Sequence, residues 1–571
     1  MKRIFKYLKK DKFILLFSLF ITFAVSMLNI LLPFLLGKTL DFFGKESVKI
    51  DSVIKYLIVV IIIIVVASIL QFIVSIINYK LSYKLMKNLR CDLFKKIQTL
   101  PIKYIDSHPQ GDTLSIIIND VEQIGDGMIL IFNQLFNGIF TILGTIAFMF
   151  MINWFIGIVI VVLTPISILV ARFITKKTSK YFYEVSIKRG LVSSYINEHI
   201  ENLKFIKQEN YISKSINGFE VIDEELYKSS FKSVFYSSLT NPFTRFINSL
   251  IYAIVALIGA LFIVNGSIGQ AISVGVLVSL LSYANQYSKP FNEITQVISE
   301  FQNALACSKR VFSLLDEEIE LNPVKEIESL NGKVDLNNVI FSYDDKPLIT
   351  NLDLHVIPGE HIAIVGSTGA GKTTIINLLM RFYRVNGGNI CLDNLDINSL
   401  DKHSFRKCIG MVLQETWIKK GTIYDNLTIG NKNATMEDVI NASKSSYSYD
   451  FISKLNDGFD TVLMDDDSLS LGEKQLLCIT RIMLFNPDLL IFDEATSNID
   501  TITEQKIQSS LNKIMVGKTC FIVAHRLSTI KNADRIIVLD HGNIIEVGNH
   551  EELLAKKGRY FDIFNSQFKR I

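Results

Sequence analysis

Gly366, Ser367, Thr368, Gly369, Ala370, Gly371, Lys372 and Thr373 spell the pattern GxxxxGK[ST], with Thr374 directly after it. Residues of these types at this spacing suit the handling of nucleotide phosphates. The glycines let backbone N–H groups turn inward around phosphate oxygens, the lysine reaches the outer phosphates, and the closing hydroxyl ligates Mg²⁺. Companions for that chemistry stand further along the chain. Asp493 and Glu494 close the apolar run that begins at Leu489. Asp493 would hold the Mg²⁺ shell through water, and Glu494 would polarise an attacking water, because a base must stand within one hydrogen bond of the proton it takes. His525 follows the apolar run Phe521 to Ala524 and would donate toward the terminal phosphate. Lys372 and Glu494 are therefore expected catalytic groups; a histidine at a strand end is by itself more often structural, and His525 joins them only in the company of further motifs.

Such groups need a rigid frame. The short β-branched run Ile362 to Val365 leads into the glycine loop, and the helical run Thr374 to Phe382 leaves it, which is the strand, loop and helix setting the motif requires. Similar runs at Leu489 to Phe492, Phe521 to Val523 and Arg535 to Leu539 alternate with helical segments. Residues 333–571 thus read as an α/β domain with buried parallel strands. The charged stretch from Asp316 to Pro323 marks residues 313–332 as a linker.

The first half of the chain is of another kind. With 49% hydrophobic residues over 571 positions and a mean hydropathy of +0.32, a single soluble domain and a disordered chain are both excluded. Apolar runs at 13–36, 53–77, 128–152, 154–174, 246–265 and 268–288 each approach the ~20 residues that a helix needs to cross a bilayer. Charge is confined to their flanks, as the cost of an intramembrane ion demands. The basic start precedes a run too long for a signal peptide and without a small-residue cleavage site, so it is retained as the first span. Residues 1–312 are expected to form a six-helix membrane domain.

Basic residues orient the spans. Lys2 to Lys12, Lys80 to Lys96 and Arg172 to Arg189 contain clusters of Lys and Arg, whereas the turns around Asn153 and Gly266 carry no charge. The expectation is an integral protein of a bacterial plasma membrane, with both termini and the α/β domain in the cytoplasm. The two long connections read as helix and should extend the spans far into the cytosol. A net charge of +3, from 59 basic and 56 acidic residues, argues against a nucleic-acid partner. The six cysteines form no CxxC or Cys/His pattern and read as reduced and structural.

Taken with the glycine loop, further motifs resemble the ATP-binding cassette family over essentially the whole chain. They are LSLGEKQ at Leu469 to Gln475, DEATSNID at Asp493 to Asp500, Gln414 in VLQETW, His525 in VAHRLSTIKNADRIIVL and Tyr343 in FSYDD. The resemblance implies ATP and Mg²⁺ as ligands. It implies that Tyr343 stacks on adenine, that Gln414 joins Mg²⁺ sensing to the membrane domain, and that Ser470 and Gly472 cap the γ-phosphate of ATP on the opposite subunit. Asp500 would contact that partner. The stretch Leu100 to Asp120 is similar to the first cytoplasmic coupling loop of exporter-type members, and Glu201 to Tyr211 to the second.

One membrane half and one nucleotide half imply a half-transporter subunit that must dimerise. The expected function is ATP-driven export of an apolar or amphipathic substrate, whether small molecule, lipid or peptide, by alternating access. An ATP-gated, channel-like protein and an exporter-fold importer of metal chelates are the alternatives. No peptidase domain precedes the first span, so built-in leader cleavage is not expected. The signature departs from the usual LSGGQ at Leu471 and Glu473, while the glycine loop, Glu494 and His525 are complete. That asymmetry favours a heterodimer with one strong and one weak ATP site over a homodimer.

Overall fold

A computed structural model describes residues 2–43, 50–265, 272–320, 322–344, 346–413, 416–464, 469–493, 499–523 and 530–568. The chain divides into two compact units. One comprises Met1–Gln98 with Gln110–Glu317, the other Thr99–Pro109 with Glu318–Ile571. The excursion of Thr99–Pro109 into the second unit is not apparent from the hydropathy pattern.

Long helices build the first unit: Lys12–Phe43, Ile50–Ile97, a run from Gln110 to Ile152, Trp154–Glu201, Ile212–Ser238, Thr240–Asn265 and Val274–Asp316. Lys6–Phe43, Ile50–Ile97, Gln110–Ile152 and Ile212–Val264 are long and apolar enough to cross a membrane, and Trp154–Ile166 is a shorter apolar stretch. The expected sixth run begins outside the described residues and continues into the Val274–Asp316 helix. Helix runs unbroken from Ile50 to Ile97 and from Trp154 to Glu201, so the connections after the second and fourth apolar runs extend those helices as their composition implies.

Polar side chains cross-link these helices where lipid would leave them unsatisfied. The Ser18 hydroxyl donates to Asn78 Oδ1 at 2.6 Å, Asn78 Nδ2 donates to Asn133 Oδ1 at 2.8 Å, and Ser26 Oγ donates to Asn137 Oδ1 at 2.9 Å. Asn133 lies in a π-helical turn, Ile131–Leu135, which shifts the side-chain register of the third long helix by part of a turn. Small residues bring other helices close. An added Cβ on Gly37 would stand 2.4 Å from the Gly275 carbonyl oxygen, and one on Gly275 would stand 2.0 Å from that of Gly37.

In the second unit β1 (Val334–Phe341), β2 (Ile349–Val356), β4 (Gly387–Leu392) and β5 (Leu395–Asp396) form an antiparallel sheet in the order β2-β1-β4-β5. A six-stranded sheet runs β12-β11-β3-β10-β9-β6. Its members are β3 (His361–Gly366), β6 (Ile409–Val412), β9 (Leu489–Asp493), β10 (Thr519–Val523), β11 (Arg535–Asp540) and the antiparallel edge strand β12 (Asn543–Gly548). The two-residue strands β7 (Gly421–Thr422) and β8 (Val462–Leu463) pair separately. The central strands are buried on both faces. Ile362, Ile364, Ile491, Phe521 and Ile537 enter one core, while Ala363, Val365, Leu490, Ile522 and Ile536 enter the other. This explains why they read as continuous apolar runs rather than alternating ones.

Among the described residues of the stretch expected as a linker, helix covers only the first four, 313–316. The helix from Val274 extends to Asp316, Leu330 is buried, and its N–H donates to Asp488 Oδ2 at 2.8 Å.

Candidate nucleotide site

Strand order gathers the site. β3, β10, β9 and β6 are neighbouring parallel strands, and their carboxyl ends align: Val523 is in register with Asp493 and with Ile364, and Val412 with Phe492. The loop after β3, the carboxylate ending β9 and the chain leaving β10 and β6 therefore start from one edge of the sheet. Ligands of open α/β sheets bind at that edge.

After Gly366 the chain turns tightly into the Lys372–Leu379 helix. Gly369 has φ +83° and Gly371 has φ +98°, a region that side chains resist. Ala370 N–H donates to Ser367 O at 3.1 Å, while Ser367, Thr368 and Gly369 are exposed. Lys372 is buried and its ammonium donates to the carbonyls of Gly366 at 2.7 Å and Ser367 at 3.2 Å, so it is folded over the loop. Thr373 is exposed in the first helical turn, where the helix dipole favours an anion. Asp493 is half-buried at the end of β9. Thr373 and Asp493 offer a hydroxyl and a carboxylate oxygen, donors that suit a hard cation such as Mg²⁺ sharing phosphate oxygens. Gln414, Glu494 and His525 lie outside the described residues.

Tyr343 is held against the loop helix: its hydroxyl donates to Thr374 Oγ1 at 3.2 Å and accepts from Asn377 Nδ2 at 3.4 Å. Its ring packs edge-on against Tyr383 at 4.9 Å and Phe341 at 4.8 Å. Tyr383 was not singled out by any motif. Its hydroxyl donates to the Asp106 carboxylate, which lies in the Ile102–Ser107 helix of the same unit. Burial, with that carboxylate beside it, raises the phenol well above its ordinary pKa. Only its aromatic character just beyond the loop helix could have drawn attention to it.

Ser470 and Gly472 open the Leu471–Phe485 helix. Ser470 is its N-cap, and Glu473 completes a capping box that the Ser-x-x-Glu spacing encodes. Gly472 is buried, and an added Cβ would come 2.5 Å from Thr503 Cγ2, so a glycine is required there. Asp500 caps the Thr501–Met515 helix, accepting from Thr503 N–H at 2.9 Å, and this backbone hydrogen bond holds its carboxyl below the usual range. Ser470, Gly472 and Asp500 are thus brought together by the packing of two helix starts. The acidic tract at 465–467 lies outside the described residues.

A phosphate loop on a parallel sheet, joined to a bundle of membrane-length helices, defines a nucleotide-powered membrane transport protein. The chain belongs to the ABC transporter family: residues 15–291 match the family described as ABC transporter transmembrane region, and residues 349–497 the one described as ABC transporter. It is 37% identical over 483 residues, 84% of this chain and 76% of the relative, to a fatty acid ABC transporter ATP-binding/permease protein of Mycobacterium bovis. It is 31% identical over 493 residues, 86% of this chain and 81% of the relative, to an ATP-dependent lipid A-core flippase of Syntrophus aciditrophicus. A solved bacterial Atm1-family ABC exporter with ATP bound superposes with a TM-score of 0.80 at 26% identity, covering 98% of each chain. The chain is an exporter-type half-transporter, an integral membrane protein that binds ATP and couples its hydrolysis to transport.

Proposed function

We propose that this chain is one subunit of a dimeric exporter that moves an apolar or amphipathic molecule, of lipid or fatty-acid character, out of a bacterial cytoplasm. The observation that carries this reading is the alignment of the phosphate loop with Asp493 on one sheet edge, in a chain whose other half consists of membrane-length helices. The names of two relatives support the substrate class.

In the proposed cycle each ATP lies between the phosphate loop of one subunit and Ser470 and Gly472 of the other. Loop N–H groups and Lys372 bind the phosphates, Tyr343 stacks on adenine, and Asp500 meets the partner. Thr373, Asp493 and Gln414 would hold Mg²⁺, which would supply positive charge to offset that of the phosphates. Glu494 orients and deprotonates water, and His525 donates to the γ-phosphoryl group as it passes to that water and ADP departs. Closure of the nucleotide domains switches the cavity between the bundles from inward to outward access, and hydrolysis resets it. The proposed boundaries are 1–312 for the membrane domain and 333–571 for the nucleotide domain, with both termini cytoplasmic. A heterodimer with a related chain is the favoured assembly.

The test is reconstitution. ATPase activity stimulated by a fatty acid or lysolipid, with ATP-dependent accumulation of that amphiphile in inside-out vesicles, is the expected result. ATP binding without any flux of such compounds would overturn the substrate class, and accumulation in the reverse sense would overturn export.

A further inference from the structure

The start of the Leu471–Phe485 helix already holds an anion of its own. Ser470 N–H donates to Glu473 Oε2 at 2.9 Å and the Ser470 hydroxyl donates to the same oxygen at 2.8 Å, while Glu473 N–H donates to Ser470 Oγ at 3.3 Å. A carboxylate at this position is favoured by the positive end of the helix dipole. It also uses the hydroxyl proton and the N–H that a phosphate oxygen at the same place would need.

We propose that Glu473 is an affinity-setting residue: its carboxylate competes with the nucleotide phosphate for Ser470 at the composite site that this chain's signature segment forms with the opposite subunit. The inference rests on the dimeric reading given above and names how one of its two sites is regulated. For the Ser470 hydroxyl to donate to a γ-phosphate, its hydrogen bond to Glu473 Oε2 must break, and the N–H is free for phosphate only if the carboxylate turns away. A phosphate arriving beside a retained carboxylate meets a like charge, which disfavours it.

The helix start cannot withdraw to relieve that competition. A Cβ added at Gly472 would stand 2.5 Å from Thr503 Cγ2 and 3.2 Å from Ile499 Cγ2, so this backbone lies close against the start of the helix that Asp500 caps. The exchange therefore falls to the Glu473 side chain. Glutamine at this position can accept the same two hydrogen bonds without the charge. The signature of this chain thereby makes the weaker site, while its own phosphate loop is unaffected.

The experiment uses the assembled transporter as purified, with 8-azido-ATP photolabelling of the subunit that faces this signature. Glu473→Gln is expected to lower the half-saturating nucleotide concentration about 5- to 20-fold, in line with the loss of one nearby like charge. The gap should narrow as salt rises from about 0.05 M to 0.5 M, because ions screen that repulsion. If Glu473 serves only as a cap, Glu473→Gln leaves the labelling curve unchanged, Glu473→Ala lowers the melting temperature without tightening ATP, and the proposal is overturned. Wild-type hydrolysis that requires two subunits secures the dimeric reading independently; without it, that reading and this one fall together.

Discussion

The hydroxyl of Tyr383 donates to the carboxylate of Asp106, joining the ring that packs against Tyr343 to a short helix, Ile102–Ser107, set between two long apolar helices in the sequence. Ile102 packs on the same core as Tyr343 and Tyr383, so this helix is anchored by an apolar residue and a charge-assisted hydrogen bond. Tyr383→Phe keeps the ring contacts and removes the bond. Because Asp106 stays exposed, the expected loss of stability is only about 1 kcal/mol. Substrate stimulation of the ATPase should fall several-fold while ATP affinity changes little. Asp106→Asn should give the same phenotype, and the double variant should be no worse than either single one. Strictly additive effects would show that the pair does not act as a unit.

Glu494→Gln is expected to keep ATP binding and reduce steady-state hydrolysis at least a hundredfold, since the amide preserves shape and removes the base. ATP should accumulate in a closed dimer. Turnover within a few-fold of wild type would assign the base elsewhere.

Lys372→Ala should weaken nucleotide binding by an order of magnitude or more, about 1.4 kcal/mol or above. It removes the ammonium that the carbonyls of Gly366 and Ser367 hold over the loop. Tyr343→Ala should weaken ATP but not inorganic triphosphate, because stacking acts only on the base. Equal losses for the two ligands would argue against adenine contact.

The parts of this architecture legible in the sequence are those with a fixed period or a fixed spacing. The runs Ile362 to Val365 and Leu489 to Phe492 are buried on both sides and so stand out as apolar blocks, and the loop between Gly366 and Thr373 is dictated by backbone geometry. The antiparallel sheet of β1, β2, β4 and β5 was not resolved, because β2 alternates buried and exposed residues over a short length and β5 has two residues. Tyr383 and Asp106 are 277 positions apart, and nothing local in either segment encodes their meeting. The altered signature at Leu471 and Glu473 stands out in the sequence, whereas the two hydrogen bonds that tie Ser470 to one Glu473 carboxylate oxygen emerge only in the folded chain.

Where Gly37 and Gly275 meet, each glycine carbonyl occupies the space into which the other's Cβ would project. Ser279 adds a hydroxyl donor to Pro33 O at 2.9 Å across the same crossing. Gly275→Leu is therefore expected to force the helices apart and cost about 1–3 kcal/mol, as overpacking does. In detergent this should appear as a lower melting temperature and loss of substrate-stimulated ATPase. Wild-type stability in Gly275→Leu would mean that the two helices do not cross here.

Thiol chemistry tests topology and burial together. All six cysteines are free; Cys91 is exposed, while Cys408 and Cys520 are buried, with burial pushing their pKa values up to about 11 and about 12. Burial penalises the thiolate, so at pH 8 roughly one Cys408 in a thousand is ionised, and fewer still of Cys520. Both should resist maleimide until the protein unfolds. Cys91 lies among Lys84, Lys87, Arg90, Lys95 and Lys96, the basic cluster on which the proposed cytoplasmic placement of this end of the Ile50–Ile97 helix rests. A membrane-impermeant maleimide should therefore label Cys91 in inside-out vesicles and spare it in intact cells. A Cys91→Ser variant identifies the labelled site, and labelling of Cys91 from the outside of intact cells would invert the proposed orientation.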